Sequence, residues 1–109
     1  MSIPETSVIA RYFEADARRD IDAIVALFTD EAVVVDEGQT YHGKASIRGW
    51  QEGVASKYQY TTQVRDTKRL DEQSYLVTGR LTGNFPGGTA ELTWRFTVHN
   101  ELISRLEIE

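Results

Sequence analysis

The stretch "DIDAIVALFTDEAVVVDEG", Asp20 to Gly38, changes its period midway, and that change decides the fold. Its first half places Ile21, Ile24, Val25, Leu27 and Phe28 at helical spacing behind Asp20, whose short carboxylate suits an N-cap. Thr29–Asp30 interrupts the helical pattern, and Ala32–Asp36, with its three valines, reads as a buried strand. Asp36, Glu37 and Gly38 then close that strand. Acids before a glycine are common turn chemistry. The other reading of Asp36 is a carboxylate at the rim or floor of an apolar cavity, where it can move a proton.

Upstream, Ser2 and Glu5 have capping-box spacing with Pro4 in the first turn, which predicts a helix start. Val8, Ile9, Tyr12 and Phe13 share one face of that helix, and Arg18–Arg19 complement its carbonyl end. Downstream, Gln39–His42 is a loop or short strand, and Gly43 to about Ser56 returns to helical period. Ile47, Trp50 and Val54 form its apolar stripe. Ala45, Gly49 and Gly53 form a second stripe of small residues, which predicts close approach by another backbone, most simply a sheet, or by a ligand.

From Tyr58 onward the period becomes two. Tyr58, Tyr60, Thr62 and Val64 alternate with polar neighbours, as do Tyr75, Val77, Gly79 and Leu81, then Leu92, Trp94, Phe96 and Val98. "LDEQ" (70–73), "NFPGG" (84–88) and "HN" (99–100) are hairpin turns, and Leu102 to Ile108 is the last strand. Helix, helix, strand, helix and four long antiparallel strands make an α+β layout in a single domain, residues 1–109. The expectation is a curved antiparallel sheet closed into a cone by three helices on its concave face. A cone lined by Tyr, Trp and Phe suits a small apolar or aromatic molecule.

Composition excludes several classes. The 109 residues are 40% hydrophobic and 27% charged, a globular balance, and carry a formal net charge of −5. The basic residues are scattered, with no stripe to track phosphates, so nucleic acid is not an expected partner. There is no cysteine, hence no disulfide framework and no thiolate. The longest apolar run, Ala23–Phe28, is far too short for a bilayer. With no secretory pattern at the N-terminus, a cytoplasmic location and no membrane partner are expected. His42 and His99 match no metal spacing, no G-x-S-x-G nucleophile elbow occurs, and "GNFPGG" is a turn. No metal and no cofactor are expected.

Three passages resemble one superfamily over about Ile9 to the C-terminus. They are "RYFEADARRDIDAIVALFTDEAVVVDEG", "YHGKASIRGW" and the closing "WRF … LISRL" hairpin. The chain is similar to the nuclear transport factor 2-like (cystatin-like) proteins and, within them, to the small bacterial SnoaL-like proteins. That resemblance implies the cone fold, a homodimer through the outer sheet face (Thr78, Arg80, Thr93 and Arg95), and activities including isomerases, cyclases, dehydratases, epoxide hydrolases and non-catalytic modules. The ketosteroid isomerases of this superfamily carry a helix-1 tyrosine and a strand-end aspartate. Tyr12 and Asp36 keep their separation of 24 residues. By that likeness Asp36 is the general base and Tyr12 the donor to a developing oxyanion. The isomerases' second oxyanion donor falls near Trp94, and their supporting tyrosine falls at Gln51.

The residues themselves leave alternatives. Asp36 is a working base if walled by apolar groups and an idle turn acid if solvated. Tyr12 is an oxyanion donor or a core tyrosine. His42 reaches the cavity mouth to orient Asp36, or is a loop histidine. Trp50, Trp94, Tyr58 and Phe96 line a substrate pocket or fill it with themselves. The catalytic reading predicts a small-molecule isomerase, cyclase or hydratase without cofactor; the alternative is a ligand-binding or dimerisation module.

Overall fold

The computed structural model describes residues 7–109, so the capping box at Ser2–Glu5 lies outside the described residues. Helix α1 runs Val8–Ala17, its Ser7 Oγ accepting from the Ile9 N–H at 3.2 Å. Helix α2 is Ile21–Ala26, and Asp20 caps it as the sequence suggests, accepting from the Ala23 N–H at 3.1 Å. Strands β1 (Phe28–Asp36) and β2 (Gln39–His42) follow, then helix α3 (Lys44–Lys57). Four strands complete the chain: β3 (Tyr60–Arg69), β4 (Ser74–Gly83), β5 (Thr89–His99) and β6 (Leu102–Ile108).

One curved, unclosed sheet takes the order β2-β1-β6-β5-β4-β3. Every neighbouring pair is antiparallel except β1 and β6, which run parallel, so the sheet is mixed. Between β1 and β6 the chain passes through β2, α3 and the strands β3, β4 and β5 before it returns parallel to β1.

Phe28 belongs to β1 and not to α2. The Ile103 N–H donates to the Leu27 carbonyl at 2.8 Å and Phe28 pairs with Ile103, which draws the chain into the sheet two residues before Asp30. The polar break at Thr29–Asp30 survives as an irregularity between Phe28 and Val33. The final hairpin turns at Asn100–Glu101, one residue later than the pattern suggests, with φ of 50° and 63°. Gly43 caps α3 at φ 86°, a conformation that favours glycine, while its N–H donates to the Ala32 carbonyl at 2.8 Å. That contact sets the start of α3 against β1.

The three helices cover the concave face. Phe28, Ala32, Val34, Val77, Phe96, Ile103 and Leu106 project from the strands against Ile9, Tyr12, Ile24 and Ile47, all buried. Each such large side chain contributes about 1.5–3 kcal/mol by leaving water. Gly79 and Gly83 belong to the same inner set. A Cβ on Gly79 would come within 2.6 Å of the Gln63 carbonyl oxygen and 3.2 Å of the Trp94 ring. The helical small-residue stripe behaves otherwise: Ala45 and Gly49 are exposed, and a Cβ on Gly49 or Gly53 would meet nothing within 4 Å. The close approach expected there occurs at β4, where Gly79 lies against the Gln63 carbonyl and the Trp94 ring.

Candidate functional site

Alternation along β1 turns Ala32, Val34 and Asp36 toward the helices, so the strand's last residue shares the interior side. Asp36 is half-buried there, and the Trp50 indole N–H donates to its Oδ2 at 3.0 Å. Trp50 reaches it because Ile47, Trp50 and Gln51 form the buried face of α3. Burial pushes the Asp36 carboxyl above the usual carboxylate range, and the indole bond opposes part of that rise. An indole N–H only donates, so Trp50 can hold the carboxylate without competing for its role as a base.

Tyr12 is 3% exposed and stands edge-on to Phe13, Phe28 and Phe96, with ring centroids 5.3, 6.3 and 5.4 Å away. Burial raises its pKa well above that of a free phenol, and the carboxylates of Asp16 and Asp36 add to the rise, Asp16 more than Asp36. Gln51 beside the hydroxyl acts the other way. Tyr12 therefore keeps its proton throughout the physiological range and can donate it in a hydrogen bond.

Trp94 and Phe96 line the same interior. Phe13 bridges them at 5.2 and 5.9 Å, and Phe96 is fully buried. Trp50 faces Tyr41 of β2 at 6.1 Å. Two of the sequence candidates lie elsewhere. His42 is exposed, with Nε2 3.3 Å from the Glu31 carboxylate, and its strand partner is Val33, whereas Asp36 pairs with Gln39. Strand geometry thus keeps His42 away from Asp36. Tyr58 lies just past α3 and stacks edge-on with Phe85 of the β4–β5 loop, centroids 6.1 Å apart.

Sequence reasoning missed Asp16. It follows Tyr12 by one helical turn on the buried face of α1 and is 7% exposed. The Tyr60 hydroxyl donates to both of its carboxylate oxygens, at 3.0 and 3.1 Å. Arg19, at φ 57°, donates to the Tyr60 carbonyl at 2.8 Å and lays its guanidinium 4.0 Å over the Tyr60 ring. Burial raises the pKa of both Asp16 and Tyr60. The i, i+4 spacing from Tyr12 was the available clue.

Two pockets stand out among the described residues. One is an open depression of about 550 Å3 around Arg18, Arg19, Asp20 and Arg48. The other is a shallow groove of about 220 Å3 on the convex sheet face, lined by Leu76, Thr93, Arg95, Glu107 and Glu109. Neither is lined by Tyr12, Asp36, Trp50 or Trp94. Also among the described residues, no cluster of three or more His, Asp or Glu side chains could hold a metal, and no helix is long and apolar enough to cross a membrane.

Comparison with known proteins gives one family and many shared folds. The model of the SnoaL-like domain matches residues 9–106. A Sinorhizobium meliloti structure described as a candidate polyketide cyclase is 33% identical, with a TM-score of 0.90 over 98% of this chain and 95% of that one. A Catenulispora acidiphila protein of ketosteroid isomerase-like fold, solved with trimethylamine, is 16% identical with a TM-score of 0.86, covering 99% of this chain and 86% of its own. The epoxide hydrolase/cyclase-like enzyme SalBIII, named for pyran ring formation in salinomycin, is 21% identical with a TM-score of 0.81, covering 93% and 85%. The last two likenesses show the fold. No curated protein matches the sequence.

Proposed function

Because this chain belongs to the SnoaL-like domain family, we propose that it carries out cofactor-independent proton transfer on a small apolar or aromatic molecule, as an isomerase, cyclase or hydratase. Asp36 is the general base, Trp50 orients it, and Tyr12 donates to the oxygen on which charge develops. Trp94 and Phe96 form the apolar walls. The observation that carries this reading is the half-buried Asp36 carboxylate on the interior side of β1, held through one oxygen by the Trp50 indole at 3.0 Å.

Desolvation makes that carboxylate a stronger base once ionised, and orientation by a non-acidic donor fixes its direction. Tyr12 cannot ionise near neutrality, so it stabilises an enolate oxygen by donating and never by accepting. The likeness to a candidate polyketide cyclase and to a ring-forming enzyme favours cyclisation or isomerisation of a carbonyl compound. The convex groove, in which Arg95 stands among Glu107 and Glu109, supports pairing of two copies through that face.

A non-catalytic module is the second reading, and one observation favours it: Tyr12, Phe13, Phe28, Trp94 and Phe96 pack edge to face through the interior. Deuterium exchange separates the two. A panel of aromatic and alicyclic ketones is incubated in D2O with protein, and loss of the α-proton signal is followed by NMR. Exchange that Asp36→Asn abolishes supports the base. Exchange unchanged in that variant, or no exchange above buffer, favours the module.

A further inference from the structure

The open depression of about 550 Å3 lies outside the interior, where the end of α1, the start of α2 and the middle of α3 meet. Arg18, Arg19 and Arg48 line it together with Asp20, Ile21 and Asp22. Three cations stand there with two acids, a local reversal of sign in a chain whose formal net charge is −5. Arg19 is the fixed member. Helix α1 ends in a Schellman motif, the Arg19 N–H donating to the Asp16 carbonyl at 3.1 Å and the Asp20 N–H to the Ala15 carbonyl at 3.0 Å. That motif needs a left-handed residue at position 19, ordinarily glycine, yet the chain places an arginine there at φ 57°. The Tyr60 carbonyl at 2.8 Å and the Tyr60 ring at 4.0 Å hold its guanidinium, so the side chain has already given up its rotamer freedom. Two of its five N–H groups go to backbone carbonyls, and among the described residues no carboxylate forms an ion pair with it.

The other two arginines are held less firmly. Arg18 meets Glu14 at 3.4 Å and Arg48 meets Asp22 at 2.8 Å, and both carboxylates are exposed. Exposed pairs of this kind contribute little, so either guanidinium can change partner at small cost. We propose that the depression binds a phosphate monoester, with Arg19 as the fixed cation and with Arg18 and Arg48 turning from their exposed acids onto the same group. A dianionic phosphate offers three terminal oxygens to the guanidinium forks, whereas a carboxylate offers two. Asp20 and Asp22 limit the negative charge the depression accepts, which favours a single phosphate over a polyphosphate or a nucleic acid backbone. A volume of about 550 Å3 also leaves room for the organic group that the phosphate carries. The proposal does not depend on Asp36 as a base.

The probe is phenyl phosphate, titrated into the full-length protein at an ionic strength held constant with sodium chloride. Two-dimensional NMR follows the Nε–Hε groups of the arginines. The signals of Arg18, Arg19 and Arg48 are expected to move together and saturate, while those of Arg65, Arg80 and Arg105, paired with Glu91 and Glu107 on the sheet, stay in place. Arg18→Gln and Arg48→Gln, at side chains 57% and 42% exposed, should each weaken binding by about tenfold or more, the scale of one lost charged hydrogen bond. Benzenesulfonate, of similar shape but with a single charge, should bind more weakly by about tenfold or more. Shifts that do not saturate, equal movement of Arg65 and Arg80, or an affinity unchanged in both variants overturn the proposal. Equal affinity for benzenesulfonate overturns it as well. The titration of the unaltered protein decides the matter even if a variant misfolds.

Discussion

Replacing Trp50 by phenylalanine keeps an aromatic ring on α3 but removes the N–H that Asp36 accepts at 3.0 Å. A hydrogen bond to an ionised group contributes about 1.5–3 kcal/mol and one to a neutral group about 0.5–1.5. Asp36 is half-exposed, so the lower end of the charged range applies, and ionisation makes the bond stronger by about 1 kcal/mol. Losing part of a buried indole adds a cavity cost of about 1–2 kcal/mol that does not depend on pH. The folded-state pKa of Asp36 is raised, so as pH falls the folded protein protonates it before it would protonate a free aspartate, and the bond then loses its charge. Trp50→Phe should therefore destabilise by roughly 2.5–3.5 kcal/mol at neutral pH and about 1 kcal/mol less under acid conditions. Urea unfolding followed by far-ultraviolet circular dichroism at the two pH values measures the difference. Repeating it in an Asp36→Asn background should erase the pH dependence. An equal cost at both pH values would show that the indole does not hold the ionised carboxylate.

Further outcomes follow from the same contacts. Gly79→Ala should cost about 1–3 kcal/mol, because the new methyl meets the Gln63 carbonyl oxygen and the Trp94 ring. Gly49→Ala, in open space on α3, should stabilise by up to about 1 kcal/mol, and paired urea titrations compare the two. Asp16 and Asp36 both have raised pKa values in the folded state, so the folded protein binds more protons than the unfolded chain above the ordinary aspartate range. Their contribution to stability is thus fully present at acid pH and lost as pH rises through the folded values. Asp16→Asn should flatten that decline above the ordinary aspartate range, read from unfolding midpoints across a pH series. Tyr12→Phe should leave the fold within about 1 kcal/mol and lower ketone exchange by about 10²–10³-fold, measured by the D2O assay.

Local patterning reported the elements well, and their partners less well. The alternation of Leu92, Trp94, Phe96 and Val98 marks β5 because one face of that strand is buried against helices and the other is not. Asp20 as a cap and the Tyr12 stripe follow from helical geometry in the same way. The parallel pairing of β1 with β6 is set by a distant segment, and the sequence around Val33–Val35 carries no sign of its partner. The spacing of Phe28 fits the helix; Ile103, far along the chain, draws it into the sheet. In the site, Tyr12 and Asp36 stood out by their separation and likeness to the isomerases. Asp16 did not, since a charged residue near a helix end ordinarily faces water. Its burial depends on Tyr60 crossing from a strand forty-four residues later. Trp50 was legible as a large apolar residue, while its polar edge mattered only once α3 was laid against the end of β1.

Titration of the Asp36 carboxyl carbon by NMR, in the unaltered protein and in Trp50→Phe, tests the proposed base most directly. The midpoint should lie above the ordinary aspartate value of about 3.9 and move further up when the indole N–H is gone. An ordinary midpoint that ignores the substitution would make Asp36 a solvated turn acid, with no part in proton transfer.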